Sequence, residues 1–171
     1  VTSTSFNSCS AKVDGGAIYG AINATVSVTS TSFNNCSAMH VQGAGGAISG
    51  ETGNMISVTS SSFNECRSAG LGGAIAGLVG VRIIVTSSTF VSCSSQQSSG
   101  GAIYAHSQSR ISVTSTSFNS CSAKVDGGAI YGAINATVSV TSTSFNNCRA
   151  MHVQGAGGAI SGETGNMIRG T

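Results

Sequence analysis

The fold is decided by the stretch Val28-Thr29-Ser30-Thr31-Ser32-Phe33-Asn34-Asn35-Cys36, which is followed after a loop by Gly45-Gly46-Ala47-Ile48. The same pattern recurs six times along the chain at a nearly constant spacing. A period of about 30 residues is typical of proteins that stack one structural repeat on the next. The coils of such a stack begin at Val1, Val28, Val58, Val85, Val113 and Val140.

A longer period lies on top of the short one. Residues 113–168 repeat residues 1–56 with a single change, in which Arg149 replaces Ser37. Four short repeats, spanning residues 1–112, therefore form one longer unit. A catalytic site has no need of a second copy, whereas a fibre, a stalk or a multivalent surface does. We therefore expect residues 1–171 to be a single solenoid segment of a longer structural protein.

The composition predicts a folded chain and argues against several functional classes. Hydrophobic residues make up 40% of the 171 residues and charged residues 7%, which is the opposite of a disordered segment. The net charge of +2 comes from scattered Lys and Arg without a basic stripe, so we expect no nucleic-acid partner. The sequence has no apolar run long enough to cross a bilayer and no charged-then-apolar leader, so we expect no membrane-spanning segment.

The pattern inside each repeat predicts short β-strands. Residues 26–30 alternate apolar and small polar side chains, as a strand with one buried face does, and nothing recurs at helical spacing. Val28 and Phe33 lie five residues apart, so a bend near Ser30 to Ser32 is needed for both to point inward. Paired glycines supply the positive φ and close backbone approach of a corner, at Gly15, Gly16, Gly45, Gly46, Gly72, Gly73, Gly100, Gly101, Gly127, Gly128, Gly157 and Gly158.

Three strands per coil, separated by a bend, a loop and a glycine corner, describe an all-β fold. We predict a three-sided parallel β-helix of about six coils, right-handed by the chirality rule for parallel crossovers. Coils about 4.8 Å apart would stack equivalent residues into ladders. Two core ladders are expected, at Phe6, Phe33, Phe63, Phe90, Phe118 and Phe145, and at Ile18, Ile48, Ile75, Ile103, Ile130 and Ile160.

The repeat resembles a known family. Ser-Phe-Asn-Asn-Cys-Ser-Ala at residues 32–38, with Gly-Gly-Ala-Ile at residues 45–48, resembles the FxxN and GGA[ILV] repeats of chlamydial-type polymorphic outer membrane proteins and related right-handed β-helix surface proteins. The resemblance covers all six repeats. It implies secretion to the cell surface and an adhesin or fibre-like role. This chain departs from the family by placing Cys where the family stacks Asn inside the turn.

One cysteine falls in each coil, at Cys9, Cys36, Cys66, Cys93, Cys121 and Cys148. A stack would bring neighbouring Cα atoms within disulfide range, although parallel side chains in register suit the bond poorly. Two alternatives follow, a buried ladder of small apolar thiols and a set of inter-coil disulfides. Zinc is disfavoured because the cysteines are far apart in sequence and have no recurring His beside them, and no other cofactor is expected.

Two Asn-Ala-Thr triplets match the N-glycosylation acceptor, at Asn23 and Asn135, in a loop expected to face outward. A third match, Asn35-Cys36-Ser37, is interpreted as incidental because Arg149 removes it from the second copy. The exposed Ser and Thr rows are alternative sites for O-linked sugars.

An ice-binding surface is one alternative function. A flat surface of Thr-x-Thr rows resembles that of ice-binding β-solenoids, although the bend near Ser30 would turn the second row inward. The rows are Thr2, Thr29, Thr59, Thr86, Thr114 and Thr141, and Thr4, Thr31, Ser61, Ser88, Thr116 and Thr143.

Parallel β-helices also include carbohydrate-binding and carbohydrate-active proteins. Polysaccharide cleavage needs clustered carboxylates or a bound cation on one face. The five carboxylates share no ladder except as repeat copies, and the histidines fall in loops, so we expect no enzyme. These residues are Asp14, Glu51, Glu65, Asp126 and Glu163, and His40, His106 and His152.

The sequence thus favours a stiff extracellular or cell-surface fibre, stalk or adhesin shaft. The expected partners are further repeats of the same chain, or copies of it stacked end to end, together with covalent glycans.

Overall fold

The computed structural model describes residues 1–170, and all regular secondary structure in that range is β-strand. Thr171, the last residue of the predicted segment, lies outside the described residues. Twenty-four strands form four parallel six-stranded sheets, and each coil contributes one strand to each sheet. Equivalent residues pair in register from coil to coil, as Phe6 with Phe33 and Ile18 with Ile48. The prediction of an all-β parallel solenoid of about six coils is confirmed.

The long sheet has five-residue strands in most coils. Its Val residues and most of its Ile residues point inward and its Ser and Thr residues outward, because successive side chains of a strand face opposite sides. Ile84 is the exception, since it pairs with the outward Ser57 and Ser112. Val28 and Ile56 are buried, for example, while Thr29 is exposed. The strands are β4 (Thr25–Thr29), β8 (Met55–Thr59), β12 (Arg82–Thr86), β16 (Arg110–Thr114), β20 (Thr137–Thr141) and β24 (Met167–Gly170).

The Phe sheet follows after a sharp bend. Ser30 has a φ of 48°, and this left-handed residue redirects the chain so that both Val28 and Phe33 are buried. The sheet comprises β1 (Ser5–Asn7), β5 (Ser32–Asn34), β9 (Ser62–Asn64), β13 (Thr89–Val91), β17 (Ser117–Asn119) and β21 (Ser144–Asn146).

The short sheet corrects the predicted number of strands, since each complete coil has four strands and not three. A second left-handed residue, such as Asn35 with a φ of 53°, turns the chain, and two residues then pair before the loop begins. Two residues are too few to produce a recognisable alternation of side chains. The strands are β2 (Ser10–Ala11), β6 (Ser37–Ala38), β10 (Arg67–Ser68), β14 (Ser94–Ser95), β18 (Ser122–Ala123) and β22 (Arg149–Ala150).

The Ile sheet closes each coil after the glycine corner. Gly45 has a φ of 64°, and a Cβ on Gly46 would lie 2.1 Å from the carbonyl oxygen of Gly73 in the next coil. The first glycine thus provides the turn, and the second allows two coils to approach closely. The strands are β3 (Ile18–Gly20), β7 (Ile48–Gly50), β11 (Ile75–Gly77), β15 (Ile103–Ala105), β19 (Ile130–Gly132) and β23 (Ile160–Gly162).

One continuous hydrophobic core runs through the coils. The Phe side chains of the four inner coils are 0% exposed, whereas Phe6 and Phe145 in the first and last coils are partly exposed. Fully burying one Phe or Ile stabilises the fold by about 1.5 to 3 kcal/mol, so the inner coils hold most of the apolar stabilisation. The described residues include no helix with the length and apolar character needed to cross a membrane.

Candidate functional site

The Phe rings form a stack along the inside of the Phe sheet. Centroids of neighbouring rings lie 4.7 to 5.0 Å apart, with interplanar angles of 2° to 7°. Aromatic pairs of this kind contribute about 0.5 to 1.5 kcal/mol each beyond the area that they bury. The Ile residues pair in register along the Ile sheet, and the fully buried members are Ile48, Ile75, Ile103 and Ile130.

The cysteines form a second internal column beside the Phe rings. All six are free thiols, four of them buried and the end members Cys9 and Cys148 partly buried. Each thiol after the first donates to the carbonyl of the Phe in the preceding coil, as Cys93 Sγ does to the Phe63 oxygen at 3.5 Å. Burial raises the pKa of the Cys93 thiol well above its usual value. The Cys93 thiol is therefore a neutral, weakly reactive core group.

The two hydroxyl rows do not share a surface. Thr29 and its equivalents point outward, but Thr31, Ser61, Ser88 and Thr116 are 2 to 4% exposed. The hydroxyl of Ser61 accepts from the Thr31 amide at 3.1 Å and donates to the Thr59 carbonyl at 2.8 Å. The second row thus satisfies backbone groups at the bend, and it does not form a flat Thr-x-Thr face with the first row.

The Phe sheet also carries a ladder of asparagines that we did not predict from the sequence. Asn34 Nδ2 donates to Asn7 Oδ1 at 2.8 Å, Asn64 repeats the contact at 2.9 Å, and Asn146 donates to Asn119 at 3.0 Å. These amides lie on the outer side of the Phe sheet, opposite the rings. The signal was the recurring Ser-Phe-Asn triplet, in which Val91 of the fourth coil replaces the Asn.

The two glycosylation candidates occupy equivalent exposed turns. Asn23 and Asn135 both have a φ of 59°, in the left-handed region that Asn tolerates better than most residues. The neighbouring coil carries glycine at the same position, and a Cβ on Gly53 would lie 2.3 Å from Asn23 Oδ1. The turn conformation therefore accounts for Asn at this position, while the amide remains on the surface.

The carboxylates lie apart, and each has a local structural partner. Asp14 accepts from the Ala44 amide and Asp126 from the Ala156 amide, at 2.8 and 2.6 Å. Glu65 forms an ion pair of 3.8 Å with Arg67. The remaining two, Glu51 and Glu163, accept from the hydroxyls of Tyr19 and Tyr131.

Tyrosines form a small cluster on the outer side of the Ile sheet. Tyr104 and Tyr131 stack at 5.4 Å and are 6% and 5% exposed. Burial, with a smaller contribution from Glu163, raises the pKa of Tyr104 to about 12. Burial and the Glu163 hydrogen bond raise the pKa of Tyr131 further. His106 lies beside Tyr104, while His40 and His152 each accept from a nearby loop amide.

Within residues 1–170, no three His, Cys, Asp or Glu side chains lie close enough together to hold a metal ion. No protein-family model, curated protein or solved structure matches the chain.

Proposed function

We propose that the chain is a structural shaft, a stiff solenoid segment of an extracellular or cell-surface fibre, stalk or adhesin. The observation that carries the proposal is the continuity of the ladders. The same side chains stack through six coils, and the matching blocks 1–56 and 113–168 form equivalent coils four steps apart. Such uniformity suits a load-resisting rod, in which every layer makes the same contacts.

Stacking on further coils follows from the same geometry. Strand β1 pairs on one side with β5, and β21 pairs on one side with β17. Their outer edges carry backbone groups that could pair with another parallel strand. A further repeat of the same chain, or a second copy placed end to end, would extend each ladder without changing its register.

The proposal includes a location at the cell surface and sugars attached to the shaft. Asn23 and Asn135 are exposed and lie in equivalent turns, so sugars there would project from the same side of the shaft at intervals of four coils, about 19 Å. The likeness of the repeat to the polymorphic outer membrane proteins supports a surface role, with the β-solenoid as the feature that the two would share.

Electron microscopy of the purified chain tests the shaft, with the power spectrum computed along any rods. We expect filaments with a layer line near 4.8 Å, at about the spacing of paired strands. Discrete particles without that layer line would contradict end-to-end stacking, provided that the protein concentration is high enough for the end coils of different molecules to meet.

Two double variants with altered charges test where one copy of the chain contacts the next in a filament. Ser5 and Ser144 are exposed and occupy the same ladder position in the first and last coils. In a head-to-tail filament they become neighbours, but within one molecule they lie far apart. The double variant Ser5→Lys with Ser144→Lys should block filaments by repulsion, and Ser5→Lys with Ser144→Glu should restore them. Equal assembly of both variants would mean that the junction lies elsewhere.

A further inference from the structure

The outer face of the long sheet contains a pair of unpaired arginines. Arg82 and Arg110 begin β12 and β16 and are direct partners in the sheet register. Both are exposed, and neither has an ion-pair or hydrogen-bond partner for its guanidinium among residues 1–170. Like charges placed opposite each other on neighbouring strands destabilise a sheet. This arrangement therefore needs a reason other than stability.

The protein's own carboxylates do not neutralise the pair. All five acidic side chains are engaged elsewhere, with backbone amides, tyrosine hydroxyls or Arg67. The guanidinium groups are left as two permanent positive charges on adjacent coils. An arginine presents a planar fork of donors that matches an oxyanion in a bidentate manner.

The arginines line a concave site and do not stand on a bare surface. The cavity has a volume of about 290 Å³, close to the lower end of the range for small-molecule sites. Its floor is Val81 and Ser109, which are 1% and 3% exposed. The other lining residues are the arginines and Thr137 of the long sheet, and Gly80, Gln108 and Asn135 of the adjoining turns.

The backbone of the site is held in place, and the site has free space. The Arg82 and Arg110 amides donate to Asn54 and Val81 of the preceding coils, each at 2.9 Å, which fixes the backbone under both side chains. A Cβ on Gly80 would meet no atom within 4 Å, so the wall beside Arg82 is open. Amide side chains of Gln108 and Asn135 add uncharged hydrogen-bonding groups to the site.

We propose that Arg82 and Arg110 bind a sulfate or carboxylate group of an acidic polysaccharide. The outer face of the long sheet continues from the arginines through Ile84 and Ser112 to the hydroxyls of Thr86 and Thr114. These groups suit the hydroxyls of a sugar chain, and the residues that line the cavity include no aromatic ring on which a nucleic-acid base could stack. This site does not depend on end-to-end stacking, and it would give the shaft a ligand of its own.

Both arginines lie in the part of the four-coil unit, residues 57–112, that the second block does not repeat. The equivalent positions in the copied coils are Thr25, Met55, Thr137 and Met167. In an array of such units, one site would appear every four coils, about 19 Å apart. Regular spacing along a rod favours binding of a polymer with repeated charges.

Nuclear magnetic resonance titration of the full chain tests the site. The probes are inorganic sulfate, then a sulfated oligosaccharide, a carboxylated oligosaccharide and a neutral one with the same sugar backbone. We expect sulfate to shift the side-chain Nε–H signals of Arg82 and Arg110. An acidic oligosaccharide should bind at least tenfold more tightly than sulfate alone, and the neutral one should not bind. Stronger binding of the sulfated or of the carboxylated chain would identify the oxyanion.

Matched variants separate the site from general charge attraction. Arg82→Gln and Arg110→Gln should each weaken acidic oligosaccharide binding at least fivefold, while Arg67→Gln, which removes the same charge from the short sheet, should change it less than twofold. Without ligand at low salt, Arg82→Gln should keep or raise the melting temperature, because it removes a like-charge contact. Equal loss in all three variants, uniform shifts of all Arg signals, or tighter binding of a single-stranded DNA oligomer would overturn the proposal.

Discussion

At the scale of single residues, the two glycines of each inner corner have different roles. The first glycine, such as Gly72 with a φ of 57°, adopts a backbone conformation that other residues reach at a cost. The second, such as Gly73, has an ordinary φ but no room, because its Cβ would lie 2.1 Å from the Gly101 oxygen. Since that oxygen belongs to the backbone of the next coil, the clash cannot be relieved by a side-chain movement.

A pair of alanine substitutions distinguishes crowding from backbone conformation. Gly73→Ala should lower the free energy of unfolding by more than about 4 kcal/mol or prevent folding, because two coils must separate. Gly80→Ala, at a φ of 70° with open space around it, should cost about 1 kcal/mol. Urea unfolding followed by circular dichroism measures both changes. A milder effect at Gly73 than at Gly80 would contradict the close approach of the coils.

The left-handed serine at each bend offers a stabilising change. Ser115 has a φ of 50° and is exposed, so Ser115→Gly should raise stability by about 0.5 to 1 kcal/mol as the backbone strain is removed. The control is Ser112→Gly in the middle of β16, which should destabilise by a similar amount because glycine weakens a strand. Thermal unfolding midpoints that move in the same direction for both variants would contradict this explanation.

Much of the residue-level pattern could be predicted from the sequence. The inward direction of both Val28 and Phe33 required a bend, and the bend lies at Ser30. The outward amide contacts of Asn34 and Asn64 could not be predicted, because Asn beside a turn has an equally good local explanation. The partner of each amide lies one whole coil away in the sequence, so only the register of the coils reveals it.

At the scale of elements, the Phe sheet has a different ladder on each side. Phe rings stack inside and Asn amides bridge the coils outside, and Val91 interrupts the amides in β13. Asn64 and Asn119 flank that position in the register, so an amide there would meet a partner on both sides. The inward position of the rings could be predicted from their size. The strands of the short sheet could not be predicted, because two residues are too few to show a periodic pattern.

Filling the gap in the amide ladder should stabilise the sheet. Val91→Asn would add two side-chain hydrogen bonds, each contributing about 0.5 to 1.5 kcal/mol, against a smaller loss of partly buried apolar surface. The expected result is a higher thermal unfolding midpoint. Val91→Thr is the control, since it retains the β-branched shape but cannot bridge the neighbouring coils. A stability gain that Val91→Thr reproduces would show that the amides contribute nothing.

At the scale of the whole molecule, the folded state should lose stability at alkaline pH because Tyr104 is buried. The pKa of Tyr104 rises from 10.0 to about 12 in the folded protein, first through burial and then through Glu163. The folded state therefore holds this proton more tightly than the unfolded state. The resulting stabilisation is complete below pH 10 and is lost as the pH rises from 10 to 12.

Thermal unfolding across the alkaline range, from neutral pH to the folded-state pKa of Tyr104, checks this dependence. The melting temperature of the unmodified chain should fall above pH 10, and Tyr104→Phe should reduce that fall. Because the variant keeps every buried cysteine, the difference between the two curves isolates the tyrosine from the thiols. Parallel curves across the whole range would contradict a protonation difference at Tyr104.

The matching blocks also bear on how the length of the protein can change. Residue 113 lies four coils after residue 1, and from there to residue 168 the sequence repeats with one substitution. Unequal exchange between the two matching stretches of the gene would insert or delete one complete four-coil unit in frame with the stack. Each such event would alter the rod by four coils, about 19 Å, and leave its cross-section intact. Alleles of this protein should therefore differ in length by whole steps.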